Sequence, residues 1–397
     1  MADLREDPYP DVYIGGGFSD PTDLSGPSDL SSPADFSGPA RPRPTGPPPA
    51  GPGPTADPPH APHAPHAPAR REPDRPPRGP DRPGRLLRRC GPVLRTGWTT
   101  SAVAAGAALL MVGHPLVPNR PGNIGSLLET LLPWTGLVVP ALLLTALLRR
   151  SVPAVIATLL LGAVWICVFG PLFLGSESGT KPNLTVVTHN VGAANPDPTA
   201  TARTLLAADP DLVALEEITD DALPAYHEVL DRRLPHSVHI GTVALWSRYP
   251  LAESRRVTID PGWSRSLRAR VQAPDGPLAV YVVHLPSVRV GAAGFTIGRR
   301  DAALTALDRT LDHERQKRVL LLGDLNGATT DRRLAPLLSR LTSVEDEAGS
   351  GFGFSWPASF PIVRVDHILV RDVTPTDAWT LPATGSDHRP VAAALRT

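Results

Sequence analysis

The 397-residue chain has only two cysteines, Cys90 and Cys167. Neither lies in the C-terminal half, so no disulfide can staple that half. Two thiols so far apart also exclude a zinc site of the paired-cysteine kind. Net charge is missing as well: 39 basic residues balance 39 acidic ones. That balance removes the general electrostatic argument for nucleic-acid binding. The first 80 residues are polar, and nothing in them resembles a cleavable signal peptide. Residues 1 to about 94 have few large apolar side chains, while 23 of the 48 prolines fall before residue 91. So little apolar burial cannot offset the entropy of ordering the chain, and the segment reads as a disordered cytoplasmic tail with local polyproline II. The repeat of His60, His63 and His66 within it could bind a transition metal weakly. Its composition points instead to plain low complexity.

Three apolar runs follow, at about Trp98–Val117, Leu127–Leu148 and Val152–Leu174. A hydrocarbon core of about 30 Å needs roughly 20 apolar residues as helix, and each run is that long. Only the second carries an acid, Glu129. Basic residues near the run ends alternate between rich and poor. Arg85, Arg88, Arg89 and Arg95 precede the first run, Arg120 alone follows it, Arg149 and Arg150 separate the second from the third, and Lys181 comes after. The positive-inside rule then puts the N-terminus in the cytoplasm and the C-terminal segment outside. Uncharged, short-linked spans suit an anchor better than a transport pathway, which would need ionisable groups inside the membrane.

Beyond a polar linker at Ser176–Asn183, residues 184–397 alternate short apolar segments with helical patterns. Strands are predicted at Leu184–Asn190, Leu212–Glu216, Val243–Ser247, Leu278–His284, Val319–Leu322 and Val365–Val370, and helices near Thr199–Ala208 and Ala292–Glu314. This is one α/β layered domain with room for a large core. Polar residues end many of its strands: His189-Asn190, Glu216-Glu217, His284, Asp324 and Asn326 in Gly-Asp-Leu-Asn, Asp366-His367, and Asp387-His388. Carboxylates and imidazoles are costly in a core unless paired or bound to a cation. Strand ends meeting at one edge would make a site from residues distant in sequence. Carboxylate and amide oxygens suit a hard cation such as Mg²⁺, and histidines beside them suit phosphate binding and proton transfer. Arg265, Arg268 and Arg270 are phosphate-binding candidates or a solvated strand face. Trp263 and Trp356 are candidates to stack on a base or on headgroups, or to pack at a rim.

The ordered set comprises Asn190, Asp211-Leu-Val-Ala-Leu-Glu-Glu217, Trp246-Ser-Arg-Tyr-Pro250, His284-Leu-Pro, Gly323-Asp-Leu-Asn326, Val365-Asp-His and Ser386-Asp-His-Arg-Pro. It resembles the endonuclease/exonuclease/phosphatase superfamily over essentially all of 184–397. That superfamily includes DNase I-like nucleases, inositol polyphosphate 5-phosphatases and neutral sphingomyelinases. The resemblance implies an α/β (α+β) four-layer sandwich, two mixed sheets face to face with helices outside. It implies Mg²⁺, with Mn²⁺ as a substitute, held by Glu217, Asn190 and Asp387. Asp324 and Asn326 would orient the attacking water, His284 and His388 would bind phosphoryl oxygens, and Asp366 would hold His388 in its working tautomer. Of the three arginines at 265, 268 and 270, Arg268 is the expected substrate contact. The family's usual Gln-Glu pair reads Glu216-Glu217 here, so Glu217 is expected to be the ligand and Glu216 to face solvent. The whole architecture, with Ser355-Trp-Pro-Ala before Arg364-Val-Asp-His, is similar to the membrane-anchored, actinobacterial VanJ-type members. That similarity implies a lipid-linked diphosphate, of the undecaprenyl kind, as substrate at the cell surface. A surface nuclease acting on nucleic acid is the alternative. A catalytically inactive envelope-binding module is disfavoured by intact acids and histidines at every motif. Protein partners of the tail stay open.

Overall fold

The computed structural model describes residues 97–175, 179–291 and 294–397. The proline-rich tail with its three histidines, Cys90, the arginines at 85–95 and part of the 176–183 linker lie outside the described residues.

The apolar segment contains helices α1 (Trp98–Gly113), α2 (Ile124–Thr130), α3 (Val138–Leu148), α4 (Val152–Phe169) and the short α5 (Pro171–Leu174). Ser151 caps α4, its side chain accepting from the Ala154 amide, and Pro153 sits in the first turn, where no amide donor is lost. Two stretches, Trp98–Leu116 and Val152–Phe169, are long and apolar enough to cross a membrane. The second predicted run differs. It breaks at Leu131, and the pair 124–130 and 132–148 is bent by 68°, so a third crossing exists only if that bent pair is one span. The physical reason is Glu129. It is fully buried and receives Arg332 Nε at 2.9 Å, the Arg332 amide at 3.0 Å and His114 Nδ1 at 2.9 Å. A carboxylate paired in this way holds the start of the run against the C-terminal domain instead of in hydrocarbon. Asn123 donates to the Phe295 carbonyl and Trp134 to the Ile362 carbonyl, adding to the same seam.

The C-terminal domain runs β1 (Leu184–Asn190), α6 (Pro198–Leu206), β2 (Leu212–Glu216), α7 (Leu223–Leu230), β3 (His236–Ile240), β4 (Val243–Ser247), β5 (Leu251–Arg256), β6 (Ser266–Ala273) and β7 (Gly276–Val283). It continues with β8 (Arg289–Gly291), β9 (Gly294–Thr296), α8 (Gly298–Asp312), β10 (Val319–Asp324), α9 (Ala335–Leu338), β11 (Thr342–Ser343), α10 (Val344–Ala348), β12 (Asp366–Arg371), β13 (Thr374–Thr380) and β14 (Val391–Arg396). The predicted helix at Ala292–Glu314 is shorter at its start, because β8 and β9 pair as a hairpin ahead of it.

Two six-stranded mixed sheets result, ordered β13-β14-β1-β2-β4-β3 and β11-β12-β10-β7-β6-β5. The sequence alternation explains how they pack. Val186 of β1, Leu212 and Ala214 of β2, Val280 and Val282 of β7, Leu320 and Leu322 of β10, and Ile368 of β12 fill one core between the sheets. Their odd neighbours face out. Val187, Val213 and Leu215 meet α6 and α7, and Tyr281, Val319 and Leu321 meet Leu304, Leu307 and Leu311 of α8. Both faces of each sheet are therefore covered, which is why these strands read as continuous apolar runs. The outcome is two mixed sheets with flanking helices, the layered sandwich the resemblance implied.

Candidate active site

Period-two parity places the site. On β1, positions 184, 186 and 188 point between the sheets, so Asn190 does too. The same count carries Glu216 on β2, His284 just past β7, Asp324 on β10 and Asp366 on β12. Most of the other inward positions are apolar, and the polar residues stand at the strand ends that meet, the last position on β1, β2 and β10 and the first on β12. Five strands thus deliver their terminal side chains to one end of the inter-sheet core.

The side chains meet. Asn190 Nδ2 donates to Glu217 Oε1 and to Asp324 Oδ2, each at 3.2 Å. His284 Nε2 lies 3.6 Å from Glu217 Oε1 and 3.7 Å from Asp324 Oδ2. His388 Nε2 is 3.9 Å from Asp324 Oδ2, while its Nδ1 bonds Asp366 Oδ2 at 2.8 Å. Asn326 is tied to Asp324 twice, amide to Oδ1 at 2.8 Å and Nδ2 to Oδ2 at 3.1 Å, and also to the Leu285 carbonyl at 2.9 Å. Glu217 (φ 59°) and Asn326 (φ 48°) both take the left-handed conformation, which non-glycine residues adopt at a cost and mostly where function requires it. Gly323, at φ 136°, belongs to the same turn. A Cβ there would strike the Val283 carbonyl and stand 3.1 Å from Glu216 Oε1.

Burial sets the electrostatics. Desolvation raises Asp324 to about 7, with Asp366 adding to the push and His388 opposing it. Burial pulls His388 down, but the attraction and hydrogen bond of Asp366 outweigh it and lift the imidazole to about 10. Asp366 is correspondingly held below the usual carboxylate range by His388, against its own desolvation. Burial, then Arg265, depresses His284 to about 3, so it is neutral. A neutral imidazole, an imidazolium paired to an acid, and a carboxyl poised near neutrality therefore share one cleft. That spread of protonation states suits general acid–base chemistry.

The donor set fits a divalent cation. Asp324, Asp366 and His388 place ligand atoms within 4.8 Å of one another, and both His284 ring nitrogens and Asp366 Oδ1 are buried without a hydrogen-bond partner among the described residues. Asp366 and His388 already bond each other. The oxygens of Glu217 and Asn190, next to Asp324, are therefore the better hard-cation set.

Three expectations need correction. Glu216 does not face solvent. It is fully buried, accepts from Thr188 Oγ1 at 3.1 Å, and desolvation followed by Asp366 pushes its pKa well above normal. Parity on β2 aims it inward, and only the left-handed turn at 217 swings the next acid into the cleft. Arg268 lies on the outer face of β6, paired to Glu314 at 3.0 Å and Glu253 at 3.2 Å. Arg265 of the same triplet feels Glu217 and Asp324 and rests 3.5 Å over the Trp263 ring, with Arg299 also over that ring at 4.6 Å. Asp387 is exposed and accepts from Trp356 Nε1 at 3.0 Å, outside the carboxylates linked to Asn190.

Two supports were not legible in the sequence. Arg300, fully buried on α8, donates to the Asn326 carbonyl at 3.1 Å and pairs with Asp331 at 2.8 Å, bracing the Gly-Asp-Leu-Asn turn from behind. Ser386 Oγ donates to the Asn190 carbonyl at 2.7 Å and accepts the His388 amide at 3.0 Å, joining two ends of the site.

No curated protein matches the chain. Solved structures of similar fold include sphingomyelinase C from Streptomyces griseocarneus, at 20% identity and TM-score 0.43, covering 54% of this chain and 99% of that one. Mannosyl-6-phosphatase from Bacteroides thetaiotaomicron stands at 18% identity and TM-score 0.46, covering 54% of this chain and 100% of that one. D. rerio TDP2 complexed with a single-strand DNA product stands at 20% identity and TM-score 0.45, covering 54% of this chain and 99% of that one. The sequence model of the endonuclease/exonuclease/phosphatase family matches residues 187–388, about half of the chain and every strand that carries a site residue. The chain therefore belongs to the endonuclease/exonuclease/phosphatase family, whose members are hydrolases of phosphoester bonds.

Proposed function

We propose that the chain is a membrane-anchored, divalent-metal-dependent phosphoesterase that hydrolyses a lipid-linked phosphate or diphosphate, of the undecaprenyl kind, on the outer face of the membrane. The observation that carries this reading is the shared seam. The loops that follow β7, β10 and α10, and so flank the cleft, are the same loops that Asn123, Glu129 and Trp134 bind from the apolar segment. A site fixed beside apolar helices is presented to phosphates in the membrane plane.

Glu217 and Asn190 hold the cation, Mg²⁺ with Mn²⁺ as a substitute. When bound it polarises the phosphoryl group and neutralises developing charge. Asp324, raised towards neutrality by burial, orients the attacking water and accepts its proton, and Asn326 fixes that carboxylate through two hydrogen bonds. His284 and His388 line the opposite wall and donate to phosphoryl oxygens as charge builds there. Asp366 keeps His388 charged and oriented. The P–O bond to the leaving group breaks in line as the bond to water oxygen forms, and no covalent enzyme intermediate arises.

The chain path supports an extracytoplasmic domain. Gly97 packs against Ser151, so the start of α1 and the start of α4 share one end of the helical unit. Residues 114–134 and Leu172 abut the C-terminal domain at the other end. With the bent pair 124–130 and 132–148 counted as one span, the chain would pass three times between the two ends, and the start of α1 and the C-terminal domain would lie on opposite sides. Protease added to intact spheroplasts is expected to cleave the C-terminal domain and spare the tail, and protection of the domain would reverse the topology.

The direct test is phosphate release from a polyprenyl diphosphate by the detergent-purified full-length protein, with and without Mg²⁺. Release that needs the metal and the Asp324 carboxylate is expected. Plasmid nicking without lipid turnover would move the assignment to a surface nuclease.

A further inference from the structure

Beside the cleft, outside the catalytic cluster, lies a groove of about 460 Å³, within the roughly 300–1,000 Å³ usual for ligand clefts. Trp134, Val139, Gly162, Trp165, Phe352 and Phe354 form most of its wall. α3 and α4 provide one side, and the extended segment 352–354 of the catalytic domain closes the other. Phe352 and Phe354 stack at 4.9 Å between ring centres, Trp134 lies on Phe354 at 5.8 Å, and Trp165 meets Phe352 edge-on at 6.1 Å. Both indole N–H groups are spent on backbone carbonyls, Trp134 on Ile362 at 2.8 Å and Trp165 on Pro133 at 3.0 Å. The groove wall is therefore almost wholly carbon.

Its position is what gives it meaning. The residue after Phe354 is Ser355, whose hydroxyl accepts the Val365 and Asp366 amides at 3.3 Å each. The next is Trp356, bonded to Asp387 beside His388. One short segment is thus groove wall at 352–354 and site wall at 355–356. Away from the groove, α1 exposes Leu109, and the face of α4 turned from Gly162 exposes Leu160, as helices in hydrocarbon would. An apolar groove opening among such helices faces lipid chains and no water-soluble ligand.

We propose that this groove seats the hydrocarbon chain of the lipid-linked phosphate, next to the carrier's phosphate end, while the phosphate occupies the cluster around Asp324 and His388. The inference rests on the reading of the protein as a phosphoesterase of lipid-linked phosphates and adds a chain-binding site to it. Gly162 is the natural point at which to block it. A Cβ there would stand 3.4 Å from Val139 Cγ1, so leucine at 162 projects into the groove.

The experiment is photolabelling of the full-length protein in detergent with a diazirine-bearing polyprenyl monophosphate, read by peptide mass spectrometry. Label on 134–139 and 352–354 is expected at least tenfold above that on Leu160. Gly162→Leu is expected to lower the groove label at least fivefold, and Leu109→Phe, on the outward face of α1, to leave it unchanged. Label spread evenly over outward-facing residues of the wild type, or indifferent to Gly162→Leu, would overturn the proposal. The two readings fail separately. Metal-dependent release with no groove label removes the groove, whereas groove label with no release from any phosphate removes the phosphoesterase reading.

Discussion

Replacing Asp366 by asparagine isolates the role of the buried His388–Asp366 pair. The substitution keeps side-chain shape but removes the charge that lifts His388 from its ordinary 6.5 to about 10. That lift of about 3.5 units is worth on the order of 5 kcal/mol of preference for the imidazolium. Without it, burial is the largest single influence left, opposed by Asp324 and Asp387, and the ordinary imidazole value of about 6.5 is the reference for the variant. At pH 8 the wild-type imidazole is then about 99% protonated and that of the variant about 3%, a ratio of about 30. The sign is definite. Imidazolium is lost as pH rises, so the variant-to-wild-type ratio of kcat/KM should fall about thirtyfold between pH 5.5 and pH 8. Using the ratio cancels titration of groups common to both proteins that lie beyond the influence of Asp366. A ratio that stays flat from pH 5.5 to pH 9 would refute the charged role of His388, even if overall activity dropped.

Glu216→Gln should keep kcat within about threefold of wild type, because burial favours the uncharged form of this carboxyl and its partner is the Thr188 hydroxyl; a loss beyond a hundredfold in steady-state assays would make Glu216 a working acid. Arg332→Ala leaves the buried Glu129 carboxylate without its main partner, at a cost of about 3 kcal/mol or more. Thermal unfolding in detergent should come several degrees lower, and an unchanged Tm would mean that the helical segment is not docked through this pair. Burial raises Glu345 from 4.5 to about 7. Its folded state therefore holds a proton that the unfolded chain has released, and stability falls as pH rises from about 4.5 to about 7. Glu345→Gln should recover up to about 3 kcal/mol at pH 8 and little at pH 4.5, measured by urea unfolding at the two pH values.

How much of this was legible in the sequence follows from what fixes each feature. Strand cores at 184–190, 212–216 and 243–247 were readable to the residue, because strands covered on both faces need unbroken Val, Leu and Ala. The strand-end acids were readable because a core excludes them without a partner. Whether Glu216 or its neighbour enters the cleft depends on one left-handed turn at Glu217, which composition does not mark. The choice among Arg265, Arg268 and Arg270 depends on which face of β6 each occupies, and Glu314, 46 positions away from Arg268, claims that side chain. Likewise the second apolar run looked like a straight span because Arg332, which holds Glu129, is 203 residues downstream. The misses at Arg268 and at the second apolar run turn on a partner far away in sequence, and that at Glu216 on a single backbone turn.

The central claim is metal-dependent hydrolysis at the Asp324–His388 cluster. The measurement that tests it most directly is turnover of a polyprenyl diphosphate and of plasmid DNA by the detergent-purified full-length protein, with Mg²⁺, with chelator, and in Asp324→Ala. The account predicts phosphate release from the lipid that stops with chelator and falls at least a hundredfold in the variant. Turnover that persists in chelator or in Asp324→Ala, or none on either substrate, would contradict it.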